Sequence, residues 1–266
     1  MKKKNDLVTI ITPMYNSERY IIETINSVLA QTYDNWEMIL VDDCSSDGTV
    51  GIIQSFIETD SRIKIIQLEV NSGAAVARNT AIQEAEGRYI AFVDSDDVWV
   101  AHKLETQLMF MHESAAKMTY SAYQIFDENS NIIGERGVPD KLSYHDLLKT
   151  NYIGCLTVIY DTEYFGKVLM PLIRRRQDYG LWLTLLKDIN FAYGINQPLA
   201  YYREHSSSIS SNKMQTSMYN WQLLRRVEKM NLLKSIYYFS QYAIRGIMRS
   251  KLPRLALILG LSQSVK

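Results

Sequence analysis

The first hundred residues alternate short apolar segments with segments of helical periodicity, and this alternation limits the fold more than any other feature of the sequence. The apolar segments are continuous, which is typical of strands buried on both faces of a parallel sheet. We expect Ser17 to cap the first helix and Gly87 to end the third. The pattern predicts an α/β fold with a mostly parallel sheet covered by helices. The predicted strands are 7–12, 36–43, 62–69 and 88–97, and the predicted helices are 17–32, 47–59 and 74–87.

Small, polar and acidic residues follow each of these predicted strands, in "TPMYN", "VDDCSSDG", "VNSGAA" and "VDSDD". Because the carboxyl ends of parallel strands meet at one edge of a sheet, we expect these loops to converge. The last loop supplies three carboxylates, Asp94, Asp96 and Asp97. Such a triplet forms either a solvated turn or a site for a hard cation such as Mg2+ or Mn2+, and its spacing alone does not decide. The convergence of four polar loops favours a metal or nucleotide site.

The composition excludes several classes of protein. Lysine plus arginine number 29, as do aspartate plus glutamate, and a net charge of zero argues against a dedicated nucleic-acid binder. Cys44 and Cys155 are the only cysteines, which is consistent with a reducing compartment. The N-terminus lacks the apolar segment of a secretion signal, and no run reaches the roughly 18 apolar residues that span a bilayer. The sequence therefore predicts a cytoplasmic protein.

The second half of the chain is less regular than the first. Its elements are predicted as a strand at 118–126, a hairpin or loop at 127–137, a short helix in "SYHDLLKT", a strand at 151–160, a helix at 174–188 and a strand at 198–210. From about Met214 the chain is expected to be helical. No internal repeat or low-complexity linker is present, which indicates one catalytic domain followed by a helical segment.

A carboxylate-held cation beside small-residue loops suits a ligand that carries phosphates. Other phosphate-binding and hydrolytic motifs are absent: the sequence has no G-x-x-x-x-G-K-[ST], no G-x-G-x-x-G after the first strand, no G-x-S-x-G and no H-E-x-x-H. These absences argue against a P-loop NTPase, a Rossmann dehydrogenase, an α/β-hydrolase and a zinc metalloprotease.

Five segments together resemble the family 2 inverting glycosyltransferases of the GT-A fold. They are "VTIITPMYNSERYIIETINSVLAQTY", "WEMILVDDCSSDGT", "NSGAAVARNTAI", "GRYIAFVDSDDVW" and "RRQDYGLWLTLL", and the resemblance covers roughly residues 6 to 210. It implies a GT-A domain at 1–212, with a nucleotide-binding half at 1–100 and an acceptor-binding half at 101–212. Residues 213–266 are then a C-terminal helical segment.

The resemblance also implies a metal centre and a donor site. Asp96 is expected to bind Mn2+ or Mg2+ directly, and Asp94 to face the metal through water or to face the ribose. His205 either completes the metal shell or is structural. One aspartate of the Asp42–Asp43 pair is expected to accept the uracil N3–H, unless the pair caps a helix. The donor nucleotide is expected to contact Pro13, Tyr15, Asp42, Asp43, Arg78, Asn79, Asp94, Ser95 and Arg203.

Individual roles within this donor site follow from the resemblance. Tyr15 lies against the base, unless it is a core aromatic, and Pro13 shapes its loop. Arg78 and Asn79 steady the diphosphate, although Arg78 could instead form a surface salt bridge. Arg203 is expected to meet the diphosphate oxygens.

The resemblance assigns the catalytic base to Asp178, in "RRRQDYGLW". An inverting transfer needs a carboxylate opposite the leaving group to take the proton of the acceptor hydroxyl. Here Gln177 replaces the acid that commonly precedes this base in the family, which leaves the base itself in place. The alternative is that Asp178 only caps its helix. The Q-x-x-R-W sequence of processive synthases is absent, so we expect transfer of one sugar per encounter.

The C-terminal segment at 232–261 mixes apolar and aromatic residues with lysine and arginine. This composition predicts either an amphipathic helix on an anionic membrane surface or a helix packed on the domain. A polyprenyl-linked acceptor would explain membrane contact at the inner face of the cell membrane.

The predicted function is inverting transfer of a single sugar from a nucleotide sugar, UDP-linked by expectation, to a glycan or lipid-linked glycan in bacterial surface-polysaccharide biosynthesis. The alternatives are a nucleotidyltransferase that makes a nucleotide sugar, and a non-catalytic relic that binds nucleotide or sugar. The first would be expected to carry a Gly-rich, basic first loop, which "TPMYNSE" is not. The second is disfavoured because Asp96 and Asp178 are both present.

Overall fold

The computed structural model of the chain describes residues 6–205 and 213–265. The strands are β1 Val8–Met14, β2 Trp36–Asp42, β3 Ile63–Gln67, β4 Tyr89–Phe92, β5 Val98–Trp99, β6 Met118–Phe126, β7 Ile132–Arg136, β8 Lys141–Leu142, β9 Ile159–Asp161 and β10 Ala192–Arg203. The helices are α1 Ile21–Leu29, α2 Thr49–Thr59, α3 Ala74–Glu84, α4 Lys103–Ser114, α5 Tyr144–Lys149, α6 Thr162–Phe165, α7 Gln177–Leu185, α8 Lys213–Gln222, α9 Leu232–Lys251 and α10 Pro253–Ile258.

All the strands belong to one sheet, whose main path runs β3-β2-β1-β4-β9-β6-β10-β5. The first four strands are parallel neighbours, with β1 between β2 and β4. The register pairs Met14 with Asp42 and Ile11 with Phe92, so these strands end at one edge. The predicted parallel half and the convergence of its strand ends are therefore confirmed.

Helices cover both faces of the sheet, as the continuous apolar strands predict. Consecutive residues of a strand pack into buried clusters on opposite faces of the sheet. In β1, Ile11 belongs to one cluster and Ile10 to the other; in β4, Phe92 belongs to the first and Ala91 to the second. Each strand thus contributes apolar side chains to both faces, which is why its sequence does not alternate in polarity.

The second half of the sheet, from β9 to β5, is mixed, and here the sequence predictions are partly wrong. β9 is antiparallel to both β4 and β6, whereas β10 is parallel to β6. The predicted strand 151–160 is mostly irregular, with a 3-10 turn at Cys155–Thr157 and only β9 as a strand. A Cβ at Gly154 would lie 3.1 Å from the Tyr123 ring, so the chain approaches β6 too closely there for a regular strand with side chains.

Helix α4 is missing from the predictions. Its inward face includes Lys103 and Gln107, both fully buried, so apolar periodicity is interrupted where the helix meets the core. The predicted hairpin after β6 is present as β7, which pairs antiparallel with β6. The predicted extension of β10 beyond His205 lies outside the described residues.

Two predicted helix boundaries are also wrong. Ser17 does not cap α1; its carbonyl accepts the amides of Tyr20 and Ile21, and the helix begins at Ile21. Helix α3 ends at Glu84, before Gly87. Gly87 has a different role, because a Cβ there would lie 2.6 Å from the Thr9 nitrogen.

The C-terminal part is helical, as predicted. Helix α8 runs into a π-helical turn at Leu223–Val227, and α9 then lies along α5. No helix within the described residues is long and apolar enough to cross a membrane.

Candidate active site

The acidic loop follows β4 at the carboxyl edge of the parallel half. The amide of Val93 donates to the Ile11 carbonyl over 3.1 Å, and the amide of Asp97 donates to the Asp94 carbonyl over 3.1 Å. The loop therefore leaves the sheet directly after β4 and turns within four residues. This turn separates the three carboxylates into three different environments.

Asp97 is the buried member of the triplet. Its carboxylate accepts the backbone amide of Arg203 over 3.0 Å, and its carbonyl accepts the Thr24 hydroxyl over 2.8 Å. Burial and the neighbouring Asp96 and Asp94 raise the pKa of Asp97 well above its ordinary value. Asp97 joins the loop to β10 and α1, and it supports the two exposed carboxylates.

Asp96 faces His205, with 2.9 Å between Asp96 Oδ2 and His205 Nε2. Burial first, and then the charge of Asp94, raise the pKa of Asp96, while His205 opposes the shift. The Tyr20 ring lies 5.6 Å from the His205 ring, centroid to centroid. The structure thus brings together the two residues expected at the metal.

Asp94 forms an ion pair with Arg78 of α3. Burial opposes the charge of Arg78, but Asp94 outweighs it and raises the pKa of Arg78; Cys155 and Asp178 act in the same direction. Arg78 is therefore buried and is not a surface salt-bridge residue. Its Nε is buried without a hydrogen-bond partner in the described part of the chain.

Arg203 is more deeply buried than a residue that binds a donor is expected to be. Its side chain is 1% exposed, its Nε donates to the Asp96 carbonyl over 2.9 Å, and its Nη2 lies 2.5 Å from Glu23 Oε2. The guanidinium also lies over the rings of Tyr20 and Phe126, at 4.6 and 4.2 Å. Arg203 is therefore buried against the acidic loop, and its contact with the donor diphosphate stays a prediction.

The acid pair after β2 organises two turns. The Asp43 carboxylate accepts the amides of Ser72 and Gly73 over 2.6 and 2.8 Å, and the Asp42 carboxylate accepts the Ser45 amide over 3.0 Å. Neither aspartate caps α2, but the Asp43 carboxylate binds the amide of Gly73, the residue that precedes α3. The residue that binds the Thr49 amide at the start of α2 is Asp47.

Tyr15 lies beside this acid pair. The Asp43 amide donates to the Met14 carbonyl over 2.8 Å, which places the two loops in contact. The Tyr15 side chain is 53% exposed and Pro13 is buried, so Tyr15 is not a core aromatic. Ser95, from the acidic loop, closes the same edge through a 2.8 Å contact between its hydroxyl and that of Ser17.

Asn79 joins the two halves of the domain. Its Nδ2 donates to the Met170 carbonyl over 2.9 Å, and its Oδ1 accepts the Met170 amide over 2.8 Å. The side chain is buried, and both ends of its amide are used by the segment that leads to α7. Asn79 thus fixes the segment that leads to α7, and its contact with the donor diphosphate stays a prediction.

Asp178 lies in the first turn of α7, half-buried. The N-cap is Arg176, in the left-handed region with φ 66°, and the helix start has no side-chain cap. Trp182 packs edge-on against Phe92 of β4, with 5.5 Å between ring centroids, and so fixes α7 on the sheet. Within the described residues, no hydrogen bond or ion pair engages the Asp178 carboxylate, and the helix-cap alternative is therefore wrong.

Sequence reasoning missed several residues around this centre. Glu23 balances the buried Arg203, and Cys155 lies within electrostatic range of Arg78, Asp94 and Asp178. Burial raises the pKa of the Cys155 thiol well above its ordinary value. No local pattern marks these residues, because their partners come from distant parts of the chain.

Asp96 and His205, with Asp94 in the same loop, are the residues that the sequence predicts at a metal, and carboxylate oxygens are ligands that suit Mn2+ or Mg2+. After burial, the charge of Asp94 is the next cause that raises the pKa of Asp96, and a bound cation would relieve that repulsion. Residues 6–205 and 213–265 contain no group of three or more His, Cys, Asp or Glu that could hold a metal ion.

Comparison with known proteins identifies the family. The family described as "Glycosyl transferase family 2" matches residues 9–166, which include the acid pair and the acidic loop. The chain is a family 2 glycosyltransferase. This membership bears out the resemblance in the sequence, and it sets aside the nucleotidyltransferase alternative.

Two relatives of this family 2 glycosyltransferase align along almost their whole length. TuaG of Bacillus subtilis, a glycosyltransferase named for teichuronic acid biosynthesis, is 46% identical over 244 residues, which are 91% of this chain and 97% of TuaG. WfgD of Escherichia coli, named a UDP-Glc:alpha-D-GlcNAc-diphosphoundecaprenol beta-1,3-glucosyltransferase, is 44% identical over 91% of this chain and 94% of WfgD.

Solved structures confirm the GT-A fold. TarS residues 1–349 from S. aureus, in complex with UDP-GlcNAc, match with a TM-score of 0.68 at 22% identity, over 94% of this chain and 76% of that chain. The mannosyltransferase PcManGT from Pyrobaculum calidifontis, in complex with GDP-Man and Mn2+, matches with a TM-score of 0.62 at 16% identity, over 95% of this chain and 78% of that chain.

Proposed function

We propose that this glycosyltransferase moves one sugar from a UDP-sugar to a hydroxyl of a lipid-linked glycan, with inversion at the anomeric carbon. The observation that carries the proposal is the environment of the Asp178 carboxylate. Its carboxylate is half-buried, free of hydrogen bonds in the described part of the chain, and within electrostatic range of the Arg78 that binds Asp94. A carboxylate in that state is available to accept a proton beside the donor site.

Exposed and acidic groups at the carboxyl edge support a uridine site. Tyr15 offers an exposed ring for the base, and Pro13 fixes the start of its loop. The carboxylates of Asp42 and Asp43 already accept backbone and hydroxyl donors, but each carboxylate oxygen has a second lone pair that can accept the N3–H of uracil. WfgD is named for UDP-Glc, and the TarS complex contains UDP-GlcNAc.

Asp96 and His205 would hold Mn2+ or Mg2+, with Asp94 nearby and Ser95 between the two aspartates. When bound, such an ion neutralises the negative charge that develops on the leaving diphosphate. Arg78 orients the Asp94 carboxylate through their ion pair. Arg203 and Asn79 are positioning residues: the first supports the acidic loop, and the second holds the segment before α7.

In the transfer, Asp178 takes the proton of the acceptor hydroxyl as its oxygen attacks the anomeric carbon. The bond from that carbon to the diphosphate oxygen breaks on the opposite face, and the nucleoside diphosphate leaves. One displacement from the far face inverts the anomeric centre. Gln177 cannot share the proton, so a single carboxylate serves as the base.

The C-terminal helices support an acceptor at a membrane surface. Helix α9 and the segment after it expose Ile236, Ile244, Ile247 and Ile258, and Arg254 is exposed among them. Apolar and basic side chains on one surface suit contact with anionic lipid. Together with the diphosphoundecaprenol acceptor in the name of WfgD, this surface favours a polyprenyl-linked acceptor in surface-polysaccharide biosynthesis, at the inner face of the cell membrane.

The proposal is tested with a panel of nucleotide sugars and Mn2+, followed by the variant Asp178→Asn. We expect transfer by the variant to fall by about 10²–10⁴, because a positioned general base is lost, while UDP binding is unchanged. The matched control is Asp188→Asn, which removes an exposed carboxylate just after the same helix.

The configuration of the product, determined by NMR, should be opposite to that of the donor, and each acceptor should gain one sugar. A retained configuration, or an Asp178→Asn variant as active as the parent, would remove Asp178 from the mechanism. Failure to turn over any donor, with UDP still bound, would favour the non-catalytic relic.

A further inference from the structure

Three arginines lie within electrostatic range of one another near Thr150 and Tyr152. They are Arg136 at the end of β7, and Arg245 and Arg249 on α9. Within residues 6–205 and 213–265, none of the three forms an ion pair with a carboxylate. We name them the arginine cluster.

The contacts of the cluster are polar and aromatic. Arg249 donates to the Thr150 hydroxyl, its Nε donates to the Arg245 carbonyl over 3.4 Å, and its guanidinium lies 5.5 Å from the centroid of the Tyr152 ring. The Nε of Arg245 is buried, and no hydrogen-bond acceptor reaches it in the described part of the chain. The cluster therefore has unused donors.

The positive charges of the arginine cluster also repel one another. Burial lowers the pKa of Arg249, and the charges of Arg136 and Arg245 lower it further, against the opposing effect of Tyr152 and Tyr242. Like charges this close repel each other, and arginine does not lose its proton to escape. A bound anion would relieve the repulsion and use the free donors.

The position of the cluster connects it to the catalytic base. Tyr242, one turn before Arg245 on α9, accepts a 2.8 Å hydrogen bond from Arg176, which is the N-cap of α7. Asp178 lies two residues beyond Arg176. The arginine cluster also lies close to the acidic centre. Arg136, Arg249 and the buried Asp97 all lie within electrostatic range of the same residue, Tyr123.

We propose that the arginine cluster binds the diphosphate of a lipid-diphosphate-linked saccharide, and so places its sugar hydroxyl at Asp178. The proposal rests on the proposed function, because it assigns a subsite to that acceptor. Guanidinium groups bind phosphate oxygens through paired hydrogen bonds, and a diphosphate offers enough charge and oxygens for three of them. Ile244 and Ile247, exposed on the same helix, would face the lipid that carries the diphosphate.

The test compares two acceptors that carry the same N-acetylglucosamine in uncharged detergent micelles. One is joined to a short alkyl chain through a diphosphate, and the other is a plain alkyl glycoside. We expect the double variant Arg245→Gln/Arg249→Gln to raise KM for the diphosphate acceptor by about tenfold or more, and to leave KM for the glycoside unchanged. KM for the donor, and slow donor hydrolysis without acceptor, should also be unchanged.

Two further variants control for charge and for folding. Arg226→Gln/Lys229→Gln removes two exposed charges from the same C-terminal region and should leave both acceptor KM values as in the parent. Arg245→Lys/Arg249→Lys keeps the charge but loses the paired donors, and should fall between the parent and the glutamine variant. Unchanged donor hydrolysis in every variant shows that each is folded.

Binding of the alkyl diphosphate alone, measured by titration calorimetry, separates this proposal from the proposed function. Binding that is lost in the glutamine variant supports the cluster even if no sugar is transferred. Transfer by the parent, combined with an unchanged diphosphate KM in the variant, overturns it. A second arm uses phosphatidylglycerol vesicles: if the variant loses only vesicle binding, the cluster recognises bulk lipid phosphate and the acceptor assignment is wrong.

Discussion

Lys103 is a buried cation whose removal should stabilise the protein near neutral pH and destabilise it at high pH. The side chain is fully buried, donates to Gln107 Oε1, and lies 4.5 Å from the centroid of the Trp99 ring. No carboxylate forms an ion pair with it within the described residues, and burial lowers its pKa to about 7. The perturbation is Lys103→Met, which keeps the length and removes the amine.

The magnitude follows from linkage between protonation and folding. The ordinary pKa of lysine is 10.5, so between pH 7 and 10.5 the unfolded chain binds a proton that the folded chain does not. The stability of the parent therefore rises with pH across this window. One pKa unit corresponds to about 1.36 kcal/mol, which gives a penalty of about 4 kcal/mol at pH 7 and about 1 kcal/mol at pH 10.

The methionine variant removes this penalty but leaves Gln107 Oε1 buried without a donor, which costs about 1–3 kcal/mol at any pH. The variant should therefore be more stable than the parent by about 1–3 kcal/mol at pH 7. At pH 10 the balance reverses, and the variant should be as stable as the parent or less stable by up to about 2 kcal/mol.

Urea unfolding at pH 7, 8.5 and 10 measures the difference in unfolding free energy between the two proteins. Other groups titrate over this range, but they do so in both proteins and cancel in the difference. Lys141→Met, which removes an exposed lysine, controls for the loss of one positive charge. A difference that does not change between pH 7 and pH 10 would refute the argument, because it would mean that Lys103 is equally protonated in the folded and unfolded chains.

Three further predictions concern the site. Asp96→Ala should abolish metal-dependent transfer while the unfolding free energy changes by less than about 1 kcal/mol, since Asp97 and not Asp96 joins the loop to β10 and α1; turnover that persists in EDTA would contradict it. Asn79→Ala should lower the unfolding free energy by about 2–4 kcal/mol, because both backbone groups of Met170 lose their partner, whereas Thr80→Ala on the same helix should cost less than about 1 kcal/mol. Ile244→Ser/Ile247→Ser should weaken binding to anionic vesicles without changing the unfolding free energy; unchanged vesicle binding would limit α9 to a packing role.

The parallel half of the fold could be predicted because its information is local. Each buried strand is a continuous apolar run, and each run ends in polar residues where the chain leaves the sheet. The same local signal located the acidic loop and the acid pair after β2. Helix α4 was not predicted because Lys103 and Gln107 occupy core positions, and buried polar residues interrupt the apolar periodicity from which a helix is predicted.

The contacts that shape the site could not be predicted, because they join distant segments. Arg203 binds the Glu23 carboxylate, 180 positions away in the sequence, and Asn79 forms a hydrogen bond with Met170, 91 positions away. From the sequence, the family resemblance predicts that Arg203 binds the donor diphosphate. Only the fold shows that the guanidinium is covered by Tyr20 and Phe126, so that its charge acts on the loop from within the protein.

The acidic triplet shows why its spacing alone left the choice between a turn and a metal site open. Asp97 has the structural role, because its carboxylate is buried and accepts a backbone amide of β10. Asp94 and Asp96 remain partly exposed and meet Arg78 and His205, a cation and an imidazole. The buried Asp97 fixes the loop, and the loop in turn holds Asp94 and Asp96 beside each other at its less buried side. The predicted cation site therefore depends on the structural role of Asp97.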